Sequence, residues 1–224
     1  MWSIFNNYTG NDLIINVIAF VLAVLFAITV HEFAHAIVAV KQGDLTPKLT
    51  GRLTLNPFAH FDLLGFASLL IFGIGWAKPV KINPLQFKEY RKGMLLVSIA
   101  GIVTNLVCAF AFSALYLICI RWLVSATISG FWLYVMQTIT YFCYYFYFIN
   151  LNLAIFNLIP IFPLDGWNFL SVFVKSKNKV FQFLTQYGNI ILLILIITQA
   201  LGYLIGYANQ YISTCLFMFW GIVL

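Results

Sequence analysis

Apolar residues run almost unbroken from Leu13 to Val40, and again over 93–122, 131–160 and 188–224. A helix needs about 20 such residues to cross the hydrocarbon core of a bilayer, so each of the first three runs predicts a span. The last run has room for a span and a return, with Gly202, Gly206 and "YANQY" as the break. Between the first two, residues 41–62 turn polar, and Leu49, Leu53 and Leu55 flanking Thr50-Gly51 predict short strands at the membrane surface. The stretch "LLGFASLLIFGIGWAKPVKINP" is short, glycine-rich and ends in prolines, which suits either a span or a partly inserted segment. At "NLIPIFPLDGW", Pro160, Pro163 and Gly166 interrupt regular helix. The pattern predicts an all-α polytopic membrane protein, one domain over residues 1–224. It would hold five to six transmembrane helices, with short membrane-surface strands after the first.

Composition agrees with the pattern. Hydrophobic residues make up 63% and charged residues 8%, against about 45–50% and about 25% in soluble domains. The net charge of +6 would suit nucleic acid in a soluble chain, but its distribution points elsewhere. Eight of the 12 Lys and Arg lie between Lys41 and Lys92, and three more at Lys175, Lys177 and Lys179. Short basic loops stay cytoplasmic, so the lipid bilayer is the partner implied, with no nucleic acid. The expected topology is multi-pass in the cell membrane, with residues 41–62 and 175–179 on the cytoplasmic side. No Lys or Arg precedes Lys41, and the first apolar run is too long for a cleaved leader. It reads as a retained span with its N-terminus outside. The four cysteines fall in apolar runs without C-x-x-C spacing and read as small hydrophobes.

One feature departs from this apolar background. His31, Glu32 and His35 sit inside the first run, where an ionisable group costs about 3 kcal/mol. The histidines are four apart, so on a helix both imidazoles share a face. H-E-x-x-H supplies two nitrogens for zinc and a carboxylate able to take a proton from water. The whole chain holds three histidines and two glutamates, so this clustering is hard to explain by helix packing alone. Catalytic zinc takes three protein ligands. The remaining candidates are His60, Glu89, Asp12, Asp44, Asp62 and Asp165. Glu89 has cations beside it, Asp12 precedes the first span, and Asp44 lies in a polar turn. Asp165 stands among apolar residues in a proline-broken segment and is the best third ligand. His60 and Asp62 read first as structural or supporting groups, with direct metal binding as the alternative.

With "HEFAHA" and "NLIPIFPLDG" both present, the sequence resembles the site-2 protease family of intramembrane zinc metalloproteases. "GRLTLNPFAHFD", "GWAKPVKINP" and "SIAGIVTN" are similar to the family's intervening segments, so the resemblance runs from the first span to about residue 175. It is closest to the short bacterial type, which lacks a peptide-binding insertion and a C-terminal regulatory domain. The resemblance implies one Zn2+ per chain, held by His31, His35 and Asp165, with Glu32 as general base for zinc-activated water. It places Asn157 near the zinc as a further catalytic group. The implied reaction is hydrolysis of a peptide bond in or near a transmembrane segment of a membrane protein or peptide substrate. The family commonly has proline where this chain has Ile102, while Asn105 is retained. A metal-ion transporter would instead favour repeated ligand sets along a path, and the sequence has one compact set and no repeat.

Overall fold

Each long apolar run becomes helix in the computed structural model, which describes residues 10–72, 75–125, 129–175 and 177–223. The N-terminal segment, on which the outward orientation was expected, and Ser176 of the basic 175–179 stretch lie outside the described residues. Helix α1 (Gly10–Gln42) leads into three short helices, α2 (Thr46–Leu49), α3 (Pro57–His60) and α4 (Leu63–Phe72). An irregular stretch and a 3-10 turn at Pro84–Gln86 precede the long α5 (Tyr90–Ser125) and α6 (Phe131–Asn157). The chain ends in α7 (Asp165–Ser171), α8 (Lys179–Ile197) and α9 (Ala200–Val223). By length and composition α1, α5, α6 and α8 can each cross a membrane. Helix α9 is long enough, but it carries Asn209, Gln210, Ser213 and Thr214 in its middle.

Helices α1, α5 and α6 pack on one another as the centre, with α7 against α5 and α9 against α5 and α6. In lipid, apolar contact alone gives helices little reason to associate, so small residues and polar contacts carry the packing. Ala19, Ala23 and Ala27, each four residues apart on α1, are fully buried and let Tyr145 and Phe146 of α6 come close. The Tyr145 hydroxyl donates to Asn16 Oδ1 at 3.0 Å across the same seam. Farther along, the Tyr147 hydroxyl donates to Ser213 Oγ at 2.7 Å, and Trp220 Nε1 to Ser113 Oγ at 3.0 Å. These bonds fasten α9 to α6 and α5. Helix α8 buries only Gly188 and leaves its other residues exposed or half-buried, as a lipid-facing helix does.

Two expectations are corrected. The surface strands after the first helix are not present among the described residues, which are all-helical between loops; 46–60 instead forms the turns α2 and α3. Prolines explain the difference. Pro47 and Pro57 stand in the first turn of α2 and α3, where a fixed φ favours helix. The Asn56 side chain caps α3 by accepting from Phe58 N at 3.1 Å. Arg52 N and Leu53 N both turn back to Pro47 O, which leaves no ladder for a strand. The break in the last run lies at Thr198–Gln199, not at Gly202, Gly206 or "YANQY", all of which are inside α9. Gln199 takes the positive φ of 58° that ends α8. Helix α4 has 10 residues, too short to cross a bilayer, so the partly inserted reading fits the described part better than the spanning one.

Asp44 ties the polar loops to the end of α1. It is fully buried, and its carboxylate accepts from Thr46 N at 2.9 Å and Asn83 N at 2.7 Å. Asp44→Ala leaves both N–H groups without that acceptor and should cost about 2–4 kcal/mol. Thermal unfolding in detergent measures this, and Asp44→Asn, which keeps one acceptor oxygen, should lose less.

Candidate metal centre

The helical period places His31 and His35 one turn apart on the same face of α1, both buried at 8% and 6% exposure. Their rings meet edge to face, with centroids 4.7 Å apart, and the two Nε2 atoms are 3.1 Å apart. Asp165 comes from far along the chain. The loop after α6 contains the cis Phe162–Pro163 bond and delivers Asp165 as the first residue of α7. Its Oδ2 lies 3.3 Å from His31 Nε2 and 3.1 Å from His35 Nε2. Each of the three residues offers one ligand atom, and these atoms lie within 4.8 Å of one another, a set able to hold a metal ion.

Close approach at two glycines allows this convergence. A Cβ on Gly166 would stand 2.7 Å from Ile159 O, so the start of α7 can lie against the end of α6 only without a side chain there. A Cβ on Gly101 of α5 would stand 2.6 Å from both His31 Nδ1 and His35 Nε2. The outer edges of the imidazoles are also held by α5. His35 Nδ1 is 2.8 Å from Val97 O, and His31 Nδ1 is 3.1 Å from Asn105 Nδ2.

Hydrogen-bond chemistry tests whether a cation suits the set. Val97 O only accepts, so His35 Nδ1 carries a proton, and in the neutral ring its Nε2 presents a lone pair. That lone pair faces the carboxylate Asp165 Oδ2, a buried atom with no hydrogen-bond partner. With a neutral ring these two acceptors at 3.1 Å repel unless a proton or a metal cation lies between them. Two imidazole nitrogens and one carboxylate oxygen are also the donor set of catalytic zinc sites. The residues fit a zinc ion.

Glu32 follows His31 around the helix, and its Oε2 accepts from Val80 N at 2.8 Å. Val80, in the irregular stretch 75–83 between α4 and the 3-10 turn, therefore lies beside the glutamate. Asn157 ends α6, and its Nδ2 donates to Leu153 O of its own helix at 3.0 Å. His60 and Asp62 are not part of the cluster. His60 Nε2 pairs with Thr54 O at 3.0 Å, and Asp62 Oδ1 caps α4 by accepting from Gly65 N at 2.8 Å. The Val80 N–H, the Val97 carbonyl and Gly101 were not anticipated from the sequence. The segment "SIAGIVTN" carries Gly101 and Asn105, and with the four-residue spacing of 97, 101 and 105 it is the signal that could have found the α5 face.

Known proteins place the chain. Residues 124–198 match the family described as Peptidase family M50, a stretch that includes Asp165 but not the histidine pair. A Bacillus subtilis (strain 168) protein named "Putative zinc metalloprotease YwhC" is 37% identical over 190 residues, 83% of this chain and 83% of the relative. "Putative zinc metalloprotease Rip2" of Mycolicibacterium smegmatis (strain ATCC 700084 / mc(2)155) is 30% identical over 184 residues, 80% of this chain and 66% of that protein. No solved structure matches the chain. Near-full-length similarity to one relative, joined to the family match around Asp165, decides the question: the chain belongs to peptidase family M50 and is a zinc-dependent protease of the site-2 protease type.

Proposed function

We propose that residues 1–224 work as one intramembrane metalloprotease domain that hydrolyses a peptide bond in or near a transmembrane segment of a membrane protein. His31, His35 and Asp165 hold one zinc, and Glu32 is the general base. The observation that carries this reading is the buried convergence of the three ligand atoms within 4.8 Å, built on a helix apolar enough to span a bilayer. Zinc, when bound, supplies Lewis acidity that acidifies water and polarises a carbonyl. Glu32 accepts the proton of the attacking water and delivers it to the leaving amine. The Val80 N–H holds the Glu32 carboxylate in one orientation from the side of the 75–83 stretch. Asn157 releases Leu153 O and donates to the substrate oxygen as charge develops there.

The proposed topology follows the basic loops. With the N-terminus outside, α1 ends on the cytoplasmic side at Lys41, as do 41–62 and 175–179. Helices α5 and α6 go out and back, α8 goes out, and α9 returns as a fifth crossing. The Lys and Arg concentrated at 41–92 and 175–179 support this orientation.

Terminal-peptide mass spectrometry on membranes expressing the wild type or Glu32→Gln tests the substrate class. New chain ends should fall inside or within a few residues of apolar spans, and should be absent with Glu32→Gln. Ends confined to soluble polypeptides would contradict the intramembrane reading.

The close approach at Gly101 gives a second prediction. Gly101→Ala forces a methyl group against both imidazoles, so one ring must move. Zinc affinity, read by chelator competition, should fall at least about tenfold.

A further inference from the structure

The H-E-x-x-H helix does not fix its own imidazoles; one face of α5 does. Val97, Gly101 and Asn105 recur every four residues along α5 and meet both histidines. We propose that Asn105 is a positioning residue that selects the His31 tautomer competent for zinc, by accepting a hydrogen bond from His31 Nδ1–H through its amide oxygen. This rests on the assignment of His31 as a zinc ligand.

Asn105 is 0% exposed and sits 74 residues away in sequence from the group it touches. Its Nδ2 faces His31 Nδ1 at 3.1 Å, and its Oδ1 is buried with no hydrogen-bond partner. That orientation matches an imidazole whose proton is on Nε2, because an amide N–H needs a lone pair at Nδ1. Yet Nε2 is the atom that points to His35 Nε2 and Asp165 Oδ2. A histidine that binds metal through Nε2 carries its proton on Nδ1 and needs an acceptor there. A half-turn of the amide about its terminal bond brings Oδ1 to that position with no backbone movement. The orphan oxygen then gains a donor. His35 already has this arrangement, since its Nδ1 faces the Val97 carbonyl at 2.8 Å. The two ligands are thus oriented by one helix in the same way, His35 by a main-chain oxygen and His31 by a side-chain oxygen. A carbonyl cannot be changed by substitution, whereas Asn105 can, so the inference is testable at this position.

The test compares Asn105→Asp, which only accepts, with Asn105→Leu, which does neither, on the purified 224-residue chain. Readouts are zinc affinity by chelator competition, the visible spectrum of the cobalt-substituted protein, and thermal unfolding of the chelator-treated protein. The expected result is that Asn105→Asp keeps zinc affinity within about threefold of wild type. Asn105→Leu should lose about 10–100-fold with an altered cobalt spectrum, while both unfold near the wild-type temperature. A purely structural asparagine would lower the unfolding temperature without separating the two variants in zinc affinity. Equal loss in both, or full affinity in Asn105→Leu, overturns the proposal. Should the leucine variant fail to fold, Asn105→Ala takes its place, and a tenfold loss in folded Asn105→Asp is by itself contradictory. Wild type that holds zinc, but loses none with Asp165→Asn, would instead remove the ligand assignment on which this inference rests.

Discussion

Glu32→Gln should lower turnover by about 10²–10⁴-fold, the usual contribution of a positioned general base, and leave the zinc content of the purified protein unchanged. The substitution isolates the chemistry because it preserves the local contact. Glutamine has the shape of glutamate and keeps an oxygen able to accept from Val80 N, so the 75–83 stretch should stay in place. What it loses is the capacity to accept a proton from water. Glu32 is not among the three converging ligand atoms, so zinc should bind as in wild type. Turnover of a reconstituted substrate in proteoliposomes, with zinc measured on the same preparation, checks both halves. A loss below tenfold would reduce Glu32 to an anchor for Val80. A loss of zinc along with activity would make it a ligand.

The second large effect is expected at Asp165. Structural zinc sites with four protein ligands bind with about 10–16 kcal/mol, or about 2.5–4 kcal/mol per ligand. At about 1.4 kcal/mol per tenfold change, Asp165→Asn should weaken zinc by about 10²–10³-fold. The variant retains the size of the side chain at the start of α7, so this loss reads the missing charge and not a lost fold. His60→Ala and Asp62→Asn are the matched controls. His60 is committed to Thr54 O and Asp62 to Gly65 N, so both should keep zinc at the wild-type level. Loss of zinc in His60→Ala with retention in Asp165→Asn would move the third ligand to the loop after α1.

The long helices were legible because crossing a bilayer demands an unbroken apolar run, and α1, α5 and α6 meet that demand within a few residues of the expected limits. The histidine pair was legible for a related reason: ionisable residues are scarce enough here that four-residue spacing stands out. The surface segment was not. Three leucines over seven positions suggested a two-residue period, but Pro47 and Pro57 impose local φ values that favour helical turns. The supports of the site were harder still. Val80 N and Val97 O are main-chain atoms that every such residue carries, so nothing in the side chain marks them. Asn105 was visible as a motif position, yet its contact with His31 depends on how α5 docks against α1.

Zinc-edge X-ray absorption on the purified protein decides whether His31, His35 and Asp165 hold the metal, because it reads the donor atoms without needing a substrate. The expected spectrum shows nitrogen and oxygen donors only, at about 2.0–2.2 Å, with outer scattering that requires two imidazoles. A sulfur shell near about 2.3 Å, or scattering that requires three imidazoles, would contradict a site made of His31, His35 and Asp165.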